Sequence, residues 1–155
     1  MCQSVRQWSL GLAIAAVRRR KPGALFKCVV DACSLINIER ARRMAVLRQR
    51  SEELVIPNKV AKQVSQPGTP LKTFIDGHEH LVSRPRNSEG EEYLRILQHH
   101  LSLEEPDALA IAMAHGRRLP LITDDGPACD VARGLGIETH SWREFLNGRH
   151  TPRGE

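Results

Sequence analysis

The chain has 155 residues, of which 41% are hydrophobic and 26% are charged, and its formal net charge at pH 7 is +5. Its length is enough to close one hydrophobic core, and no stretch approaches the roughly 18 apolar residues of a membrane span, so we expect one soluble domain and exclude a transmembrane protein. The positive charge favours an anionic partner, with nucleic acid as the first candidate and an acidic protein as the alternative.

Residues 1–24 are interpreted as an N-terminal extension of a domain that spans residues 25–147, and residues 148–155 as a C-terminal tail. The apolar stretch from Leu10 to Val17 is too short for a typical export signal. Helical spacing predicts a short amphipathic helix that docks on the domain or on a partner, with the apolar residues Val5, Trp8, Leu12 and Ala16. A translation start assigned too far upstream is the alternative.

From residue 26 onward, short apolar runs alternate with helical patterns. The run from Phe26 to Val30 predicts a buried strand, and Leu35 to Arg50 is predicted as one helix. The inward side of that helix is expected to contain Leu35, Ile38, Ala45 and Leu47. Leu54 to Ile56 predicts a second strand that Pro57 stops, and Asn58 is expected to cap a short helix that ends at Val64.

The later elements continue the same alternation. They are predicted in this order: a helix at 71–76, a strand at 81–82, a helix from 88, a helix at 103–114, a strand at 119–123, a helix at 128–135, a strand at 137–140 and a helix at 142–146. Ser88 and Glu91 suit a capping box at the start of the helix from 88. Gly116 suits the C-terminal end of the helix at 103–114. Strands that alternate with helices predict an α/β fold whose parallel sheet is covered on both faces.

Four cysteines are present, namely Cys2, Cys28, Cys33 and Cys129. They form no C-x-x-C pair and have no histidine at the spacing of a zinc site. Cys28 and Cys33 lie within apolar sequence. We therefore expect small core residues in a reducing compartment, which favours a cytoplasmic protein.

Aspartates stand at the edges of the predicted buried elements. Asp31 ends the first strand, Asp124 and Asp125 end the strand at 119–123, and Asp107 begins the apolar helix. Ligand sites in open α/β sheets lie at the carboxyl ends of the strands, so Asp31, Asp107 and Asp125 are expected at one edge. Clustered carboxylates cannot all stay ionised without cations, and hard oxygen ligands select Mg²⁺ or Mn²⁺.

Such a metal lowers the pKa of a bound water and stabilises charge on a phosphoryl oxygen. On a basic protein this chemistry indicates phosphodiester hydrolysis. The Thr123 and Ser34 hydroxyls are auxiliary candidates that would orient a carboxylate or a water. Phosphate contacts are expected from arginines on the first helix, and Arg40 and Arg43 are closest in sequence to Asp31.

Three blocks of the sequence resemble the PIN domain, the metal-dependent ribonuclease fold that includes the VapC toxins of bacterial toxin-antitoxin pairs. The blocks are VVDACSLIN at 29–37, EEPDALAIAMA at 104–114 and LITDDGPACDVARGLGI at 121–137. The resemblance implies a three-layer α/β/α domain with strand order 3-2-1-4-5, Mg²⁺ or Mn²⁺ as cofactor and single-stranded RNA as substrate. It also implies an antitoxin partner and a homodimer.

The resemblance assigns roles to individual acids. Asp31 resembles the first catalytic acid of the family, Asp107 the third and Asp125 the fourth. Asp124 matches an adjacent position that is often acidic, and Glu105 matches the acid often found just before the third. These residues are the candidate metal ligands.

The chain departs from the family pattern at the second acid. The family usually has Glu in the helix after the second strand, where this chain has Gln63 within Val60-Ala61-Lys62-Gln63-Val64. A glutamine offers a carbonyl oxygen but no charge, and Lys62 adds positive charge nearby. A degenerate PIN-like domain that binds RNA or a protein without cleavage is therefore the alternative to a ribonuclease. A receiver-like or phosphatase domain is disfavoured, because a receiver's early acidic pair and late lysine are missing.

Overall fold

The computed structural model of the protein describes residues 26–148. The predictions for residues 1–24, and for nearly all of the tail, lie outside the described residues. A sheet of five short parallel strands forms the centre in the order β3-β2-β1-β4-β5. The strands are β1 (Cys28–Val30), β2 (Leu54–Pro57), β3 (Val82–Ser83), β4 (Leu121–Ile122) and β5 (Thr139–His140). The predicted α/β/α fold and its strand order are confirmed.

Helices connect the strands and cover the sheet. They are α1 (Ala32–Arg40), α2 (Met44–Gln49), α3 (Asn58–Val64), α4 (Pro70–Gly77), α5 (Asn87–His99), α6 (Glu105–Arg117), α7 (Gly126–Gly134) and α8 (Trp142–Leu146). Among the described residues, no helix is both long and apolar enough to cross a membrane.

The core is divided between the two faces of the sheet. Successive side chains of a strand point to opposite faces, and in β1 the side chain of Val29 belongs to one hydrophobic cluster while Cys28 and Val30 belong to the other. All three are fully buried. Strand β1 pairs with β2 on one side and β4 on the other, so it lies at the centre of the sheet. This central position places Asp31, the next residue, in the interior.

The single helix predicted from Leu35 to Arg50 is wrong. The chain leaves helix α1 after Arg40, Arg42 adopts a left-handed conformation with φ of 59°, and α2 begins at Met44. Ile38 and Leu47 are nine positions apart and would lie on opposite sides of a straight helix, yet both are fully buried. The turn between α1 and α2 brings both side chains into the core. Ala45, predicted to face inward, is exposed.

Helix boundaries account for three further corrections. Asn58 is the first residue of α3 rather than its cap, and Pro57 occupies the cap position. At the start of α5, Glu89 rather than Glu91 accepts a hydrogen bond from the Arg86 N–H at 2.9 Å. Helix α6 continues through Gly116 and ends where Arg118 adopts a left-handed conformation with φ of 57°. In each case the sequence predicted a helix end in the correct region, but the prediction placed it at a neighbouring residue.

Candidate active site

Acidic residues occupy the cap positions of three helices. Asp31 caps α1 directly after β1, Asp125 caps α7 shortly after β4, and Glu104 stands at the cap position of α6. Because β1 and β4 are hydrogen-bonded neighbours, their carboxyl ends lie side by side. The partial positive charge of a helix N-terminus favours a carboxylate at each of these positions.

Asp31 is buried, with 1% of its surface exposed. Its Oδ1 accepts a hydrogen bond from the Ser34 N–H at 2.8 Å, which fixes the side chain at the start of α1. Its Oδ2 is buried and makes no hydrogen bond of ordinary geometry within the described structure. Burial raises the pKa of Asp31, the nearby Thr123 hydroxyl and Ser34 oppose this rise, and the charge of Asp125 adds to it. One oxygen is therefore held by the fold while the other lacks a partner.

Asp107 lies in the first turn of α6, three positions after Glu104. Burial raises the pKa of Asp107 to about 7, and the negative charges of Asp31, Asp125 and Glu104 add to the effect in that order. Like charges disfavour ionisation of a neighbour only when they are close. Asp31 and Asp125 therefore lie close enough to Asp107 for their charges to act on it.

Asp125 is held in the same manner as Asp31. Its Oδ2 accepts a hydrogen bond from the Ala128 N–H at 2.9 Å, and its own N–H donates to the Thr123 hydroxyl at 3.1 Å. Thr123 is buried. The Ser34 hydroxyl is also buried and donates to the Ile122 carbonyl at 3.3 Å, so it ties α1 to the end of β4. The Thr123 hydroxyl therefore fixes the backbone of Asp125, and Ser34 contacts the Asp31 carboxylate through its backbone N–H.

A cavity of about 300 Å³ opens beside Asp107 and Asp125, and we call it the acidic cavity. Its lining combines carboxylates, polar groups and one arginine: Ala32, Cys33, Ile36, Asn37, Arg40, Gln63, Ser102, Glu104, Asp107 and Asp125. Arg40 and Gln63, which the sequence analysis singled out, are thus among the residues that line this cavity. Cys33 is exposed, which corrects the expectation of a core residue, whereas Cys28 is buried as expected.

Other predicted residues lie apart from this cavity. Asp124 lines a separate cavity, together with residues of α7 and β5. Glu105 forms an ion pair with Lys59 at 3.4 Å and lines a neighbouring cavity. Arg43 stands at the cap position of α2 and does not line the cavity beside the acids.

Sequence reasoning missed Glu104, Asn37 and Ser102 as residues of the cavity. For Glu104 a signal was available. Proline is tolerated in the first turn of a helix, and here Pro106 is its second residue, which places the cap at Glu104 rather than before Leu103. A cap residue three positions before Asp107 lies near the same side of the helix.

The donor set suits a divalent cation. The side chains offer hard carboxylate oxygens, one of them buried without a partner, and the acids repel one another. Within residues 26–148, no three His, Cys, Asp or Glu side chains are gathered closely enough to hold an ion by themselves. Mg²⁺ commonly keeps several waters and binds through only one or two carboxylates, so the residues fit such an ion without full protein chelation.

Comparisons with known proteins agree with the fold and the motifs. A family model described as a PIN domain, DUF3368, matches residues 27–141. The crystal structure of PAE2754 from Pyrobaculum aerophilum is similar with a TM-score of 0.53 and 15% sequence identity, over 81% of this chain and 97% of that one. No protein with a curated description is a significant match. The family match confirms the resemblance seen in the sequence, and the structural match shows a shared fold.

Proposed function

Because this chain belongs to the PIN domain family, which has a nuclease-type fold, we propose that it is a metal-dependent endoribonuclease that hydrolyses phosphodiester bonds of single-stranded RNA. The proposal is carried by Asp107 and Asp125, which line one cavity, together with the buried Asp31, whose charge acts on Asp107. Burial raises the pKa values of Asp31 and Asp107, and one buried oxygen of Asp31 makes no hydrogen bond within the described structure, as expected where an external cation is needed.

Asp31, Asp107 and Asp125 are the residues that would hold Mg²⁺ or Mn²⁺, either directly or through waters of the ion. Such a cation, when bound, supplies a water of lowered pKa and offsets charge on the phosphoryl group. The chain's own contribution is orientation, because helix caps hold one oxygen of Asp31 and one of Asp125. The second oxygen of each carboxylate is then left to face the cation or its waters. Asp124 and Glu105 lie apart from this cavity and are left out of the proposed set of residues that hold the cation.

The proposed RNA path follows the basic residues around the acids. Arg40 lines the acidic cavity, and an adjoining cavity is lined by Lys59 and Lys62 and shares Gln63 and Glu104 with it. Lysine and arginine contacts to phosphates give affinity that falls with salt and carry no base preference. Arg40 and Lys62 would therefore bind the backbone on either side of the scissile phosphate. Arg43 would act only at the margin of this path.

The biological role proposed here is that of the toxin in a toxin-antitoxin pair. It rests on the resemblance of the three motifs to VapC toxins and on membership of the PIN family. An antitoxin protein and a second copy of this chain are the expected partners, in the cytoplasm. Growth arrest on expression, relieved by co-expression of the product of an adjacent gene, would support this role. Unimpaired growth with active enzyme in the cell would contradict it.

Cleavage of RNA by the purified chain tests the enzymatic proposal. Wild-type protein with Mn²⁺ is expected to cleave members of a panel of single-stranded RNAs, and Asp31→Asn and Asp125→Asn are expected to abolish cleavage. Asp130→Asn is a matched control, because this exposed aspartate of α7 does not line the acidic cavity. A wild-type protein that binds the RNAs but leaves all of them intact would refute the enzymatic claim.

Binding without cleavage is the second candidate function. It is favoured by Gln63, which lines the acidic cavity without charge, and by the neighbouring Lys62. The substitution Gln63→Glu separates the candidates. A large gain in Mn²⁺ affinity and cleavage would show an impaired natural site, whereas an already active wild-type protein would show that Gln63 is compatible with catalysis.

A further inference from the structure

The missing second acid leaves the site one negative charge short of the family pattern. Gln63 occupies that position and lines the acidic cavity with a neutral side chain. A cation held by carboxylates is attracted by the sum of their charges, so the loss of one carboxylate weakens its binding. Another acid close to Gln63 would restore the charge.

Glu104 is such an acid. It lines the acidic cavity and also the adjoining cavity, and among residues 26–148 only Gln63 shares this position. Asp107, three positions after Glu104 in the chain, also lines the acidic cavity. The two residues come from different elements, since Gln63 lies in α3 and Glu104 precedes α6. Glu104 and Gln63 therefore belong to different elements but line the same two cavities.

The carboxylate of Glu104 is not engaged elsewhere in the described structure. It stands at the cap position of α6 but its side chain makes no capping hydrogen bond. It also takes part in no ion pair there, unlike Glu105, which pairs with Lys59 at 3.4 Å. Asp31 and Asp125, by contrast, each use one oxygen to cap a helix. Both oxygens of Glu104 are thus available to the cavity.

We propose that Glu104 replaces the carboxylate missing at Gln63 and supplies the fourth negative charge of the cation site. This inference rests on the proposed function, since it assigns a residue to the same site. The buried Asp31 Oδ2 without a partner is an independent indication that a cation belongs there. In this chain the fourth negative charge would lie at the N-terminus of α6 instead of in α3, and the helix dipole favours a carboxylate there.

Calorimetric titration with Mn²⁺ tests this assignment without relying on catalysis. The substitution Glu104→Gln is expected to weaken Mn²⁺ binding by about 10- to 100-fold. Glu105→Gln is the matched control, because it is the adjacent acid, has the same shape and lines only the adjoining cavity. It should leave the affinity within about threefold. Neither side chain caps α6, so both variants are expected to fold, which thermal unfolding in EDTA would verify.

A second variant distinguishes a charge effect from a local distortion. Adding Gln63→Glu to Glu104→Gln returns the charge at the family position and should recover most of the Mn²⁺ affinity and of the RNA cleavage. Equal Mn²⁺ affinities for the Glu104→Gln and Glu105→Gln variants would overturn the assignment of Glu104. If wild-type protein binds Mn²⁺ and loses binding on Asp31→Asn, that result leaves the proposed function standing. A wild-type protein that neither binds Mn²⁺ nor cleaves RNA would overturn both.

Discussion

Two carboxylates of this protein are equally buried but differ in what surrounds them. Asp31, at the end of β1, and Glu89, in the first turn of α5, are each 1% exposed. A buried carboxylate is costly unless a cation or hydrogen bonds compensate it. The two sites differ in where that compensation comes from.

Glu89 is compensated entirely within the chain. The Arg117 guanidinium donates to its two oxygens at 3.1 and 3.2 Å, and the Arg86 N–H donates at 2.9 Å. Arg117 also donates to the Ser83 hydroxyl and to the Arg84 carbonyl, so this cluster joins α5, α6 and β3. Glu89 is therefore a structural acid.

Asp31 is compensated only in part. Its Oδ1 is held by the start of α1, but Oδ2 has no hydrogen bond in the described structure and the neighbouring charges are those of other acids. No arginine or lysine of the described residues forms an ion pair with it. Equal burial thus does not mean an equal role, because a carboxylate without an internal cation is suited to an external one.

The largest expected effect comes from removing the internal cation of Glu89. The substitution Arg117→Ala leaves a buried charge without its partner and should lower the free energy of unfolding by about 3–5 kcal/mol. Urea unfolding at pH 7 measures this. RNA cleavage per folded molecule should be unchanged at a temperature where the variant is folded. A loss below about 1 kcal/mol would show that Glu89 does not depend on Arg117.

Neutralising Asp31 should produce the opposite pattern. Asn also caps helices well, so Asp31→Asn should leave the unfolding free energy in EDTA equal to or above that of the wild type. Mn²⁺ affinity should fall at least about 100-fold, which corresponds to about 2.7 kcal/mol. Calorimetric titration and unfolding in EDTA measure the two effects. A marked loss of stability in EDTA would identify Asp31 as a structural acid like Glu89.

The close approach of Gly116 to the Glu89 side chain gives a third prediction. A Cβ at Gly116 would lie 2.6 Å from the Glu89 Cγ, so Gly116→Ala must displace the buried carboxylate from Arg117. We expect a loss of about 1–3 kcal/mol, although alanine is the better helix former. Gly90→Ala in α5 is the control, because nothing lies within 4 Å of the added Cβ there. A gain in stability from Gly116→Ala would show that Glu89 has room to move.

The smallest expected effect is a pH dependence of stability in EDTA. The pKa of Asp107 is about 7 in the folded state against an ordinary value of 3.8, so the folded protein binds more protons between these values. This contribution to stability is present below about pH 4 and is lost as the pH rises towards 7. Because solvent reaches the side chain, we expect only about 1 kcal/mol from it.

Asp107→Asn removes that contribution. The difference in unfolding free energy between the variant and the wild type should therefore shift in favour of the variant from pH 5 to pH 7.5. Urea unfolding in EDTA at the two pH values measures the shift. A difference that does not change with pH would mean that neither burial nor the neighbouring acids raise the pKa of Asp107 in the folded state.

Much of the site was predictable from local pattern. Asp31 follows a short continuous apolar run, Asp107 begins a helix of buried residues and Asp125 follows β4, so their common edge could be inferred from strand ends alone. The helix break at Arg42 was not predicted, because arginines on a helix surface and in a turn have the same local pattern. Cys33 was taken as a core residue because its neighbours are apolar, but α1 directs it towards the exposed cavity.

The partners of the acids were not predictable in the same way. Glu89 and Arg117 are 28 positions apart, and nothing in the local sequence of either residue indicates the other. Glu104 and Glu105 are adjacent and chemically identical, yet one lines the acidic cavity and the other pairs with Lys59. A single step along the chain at a helix start changes the direction of the side chain by about 100°.

The amino-acid sequence by itself determined the alternation of strands and helices and the aspartates that end them, because the periods of 2 and 3.6 residues are local properties. The tertiary structure decided which acids meet a cation inside the protein and which do not. Charge interactions depend on distance through space and on exclusion of water, and both are set only when distant elements pack together. Asp31 and Glu89 therefore became distinguishable only in the folded protein.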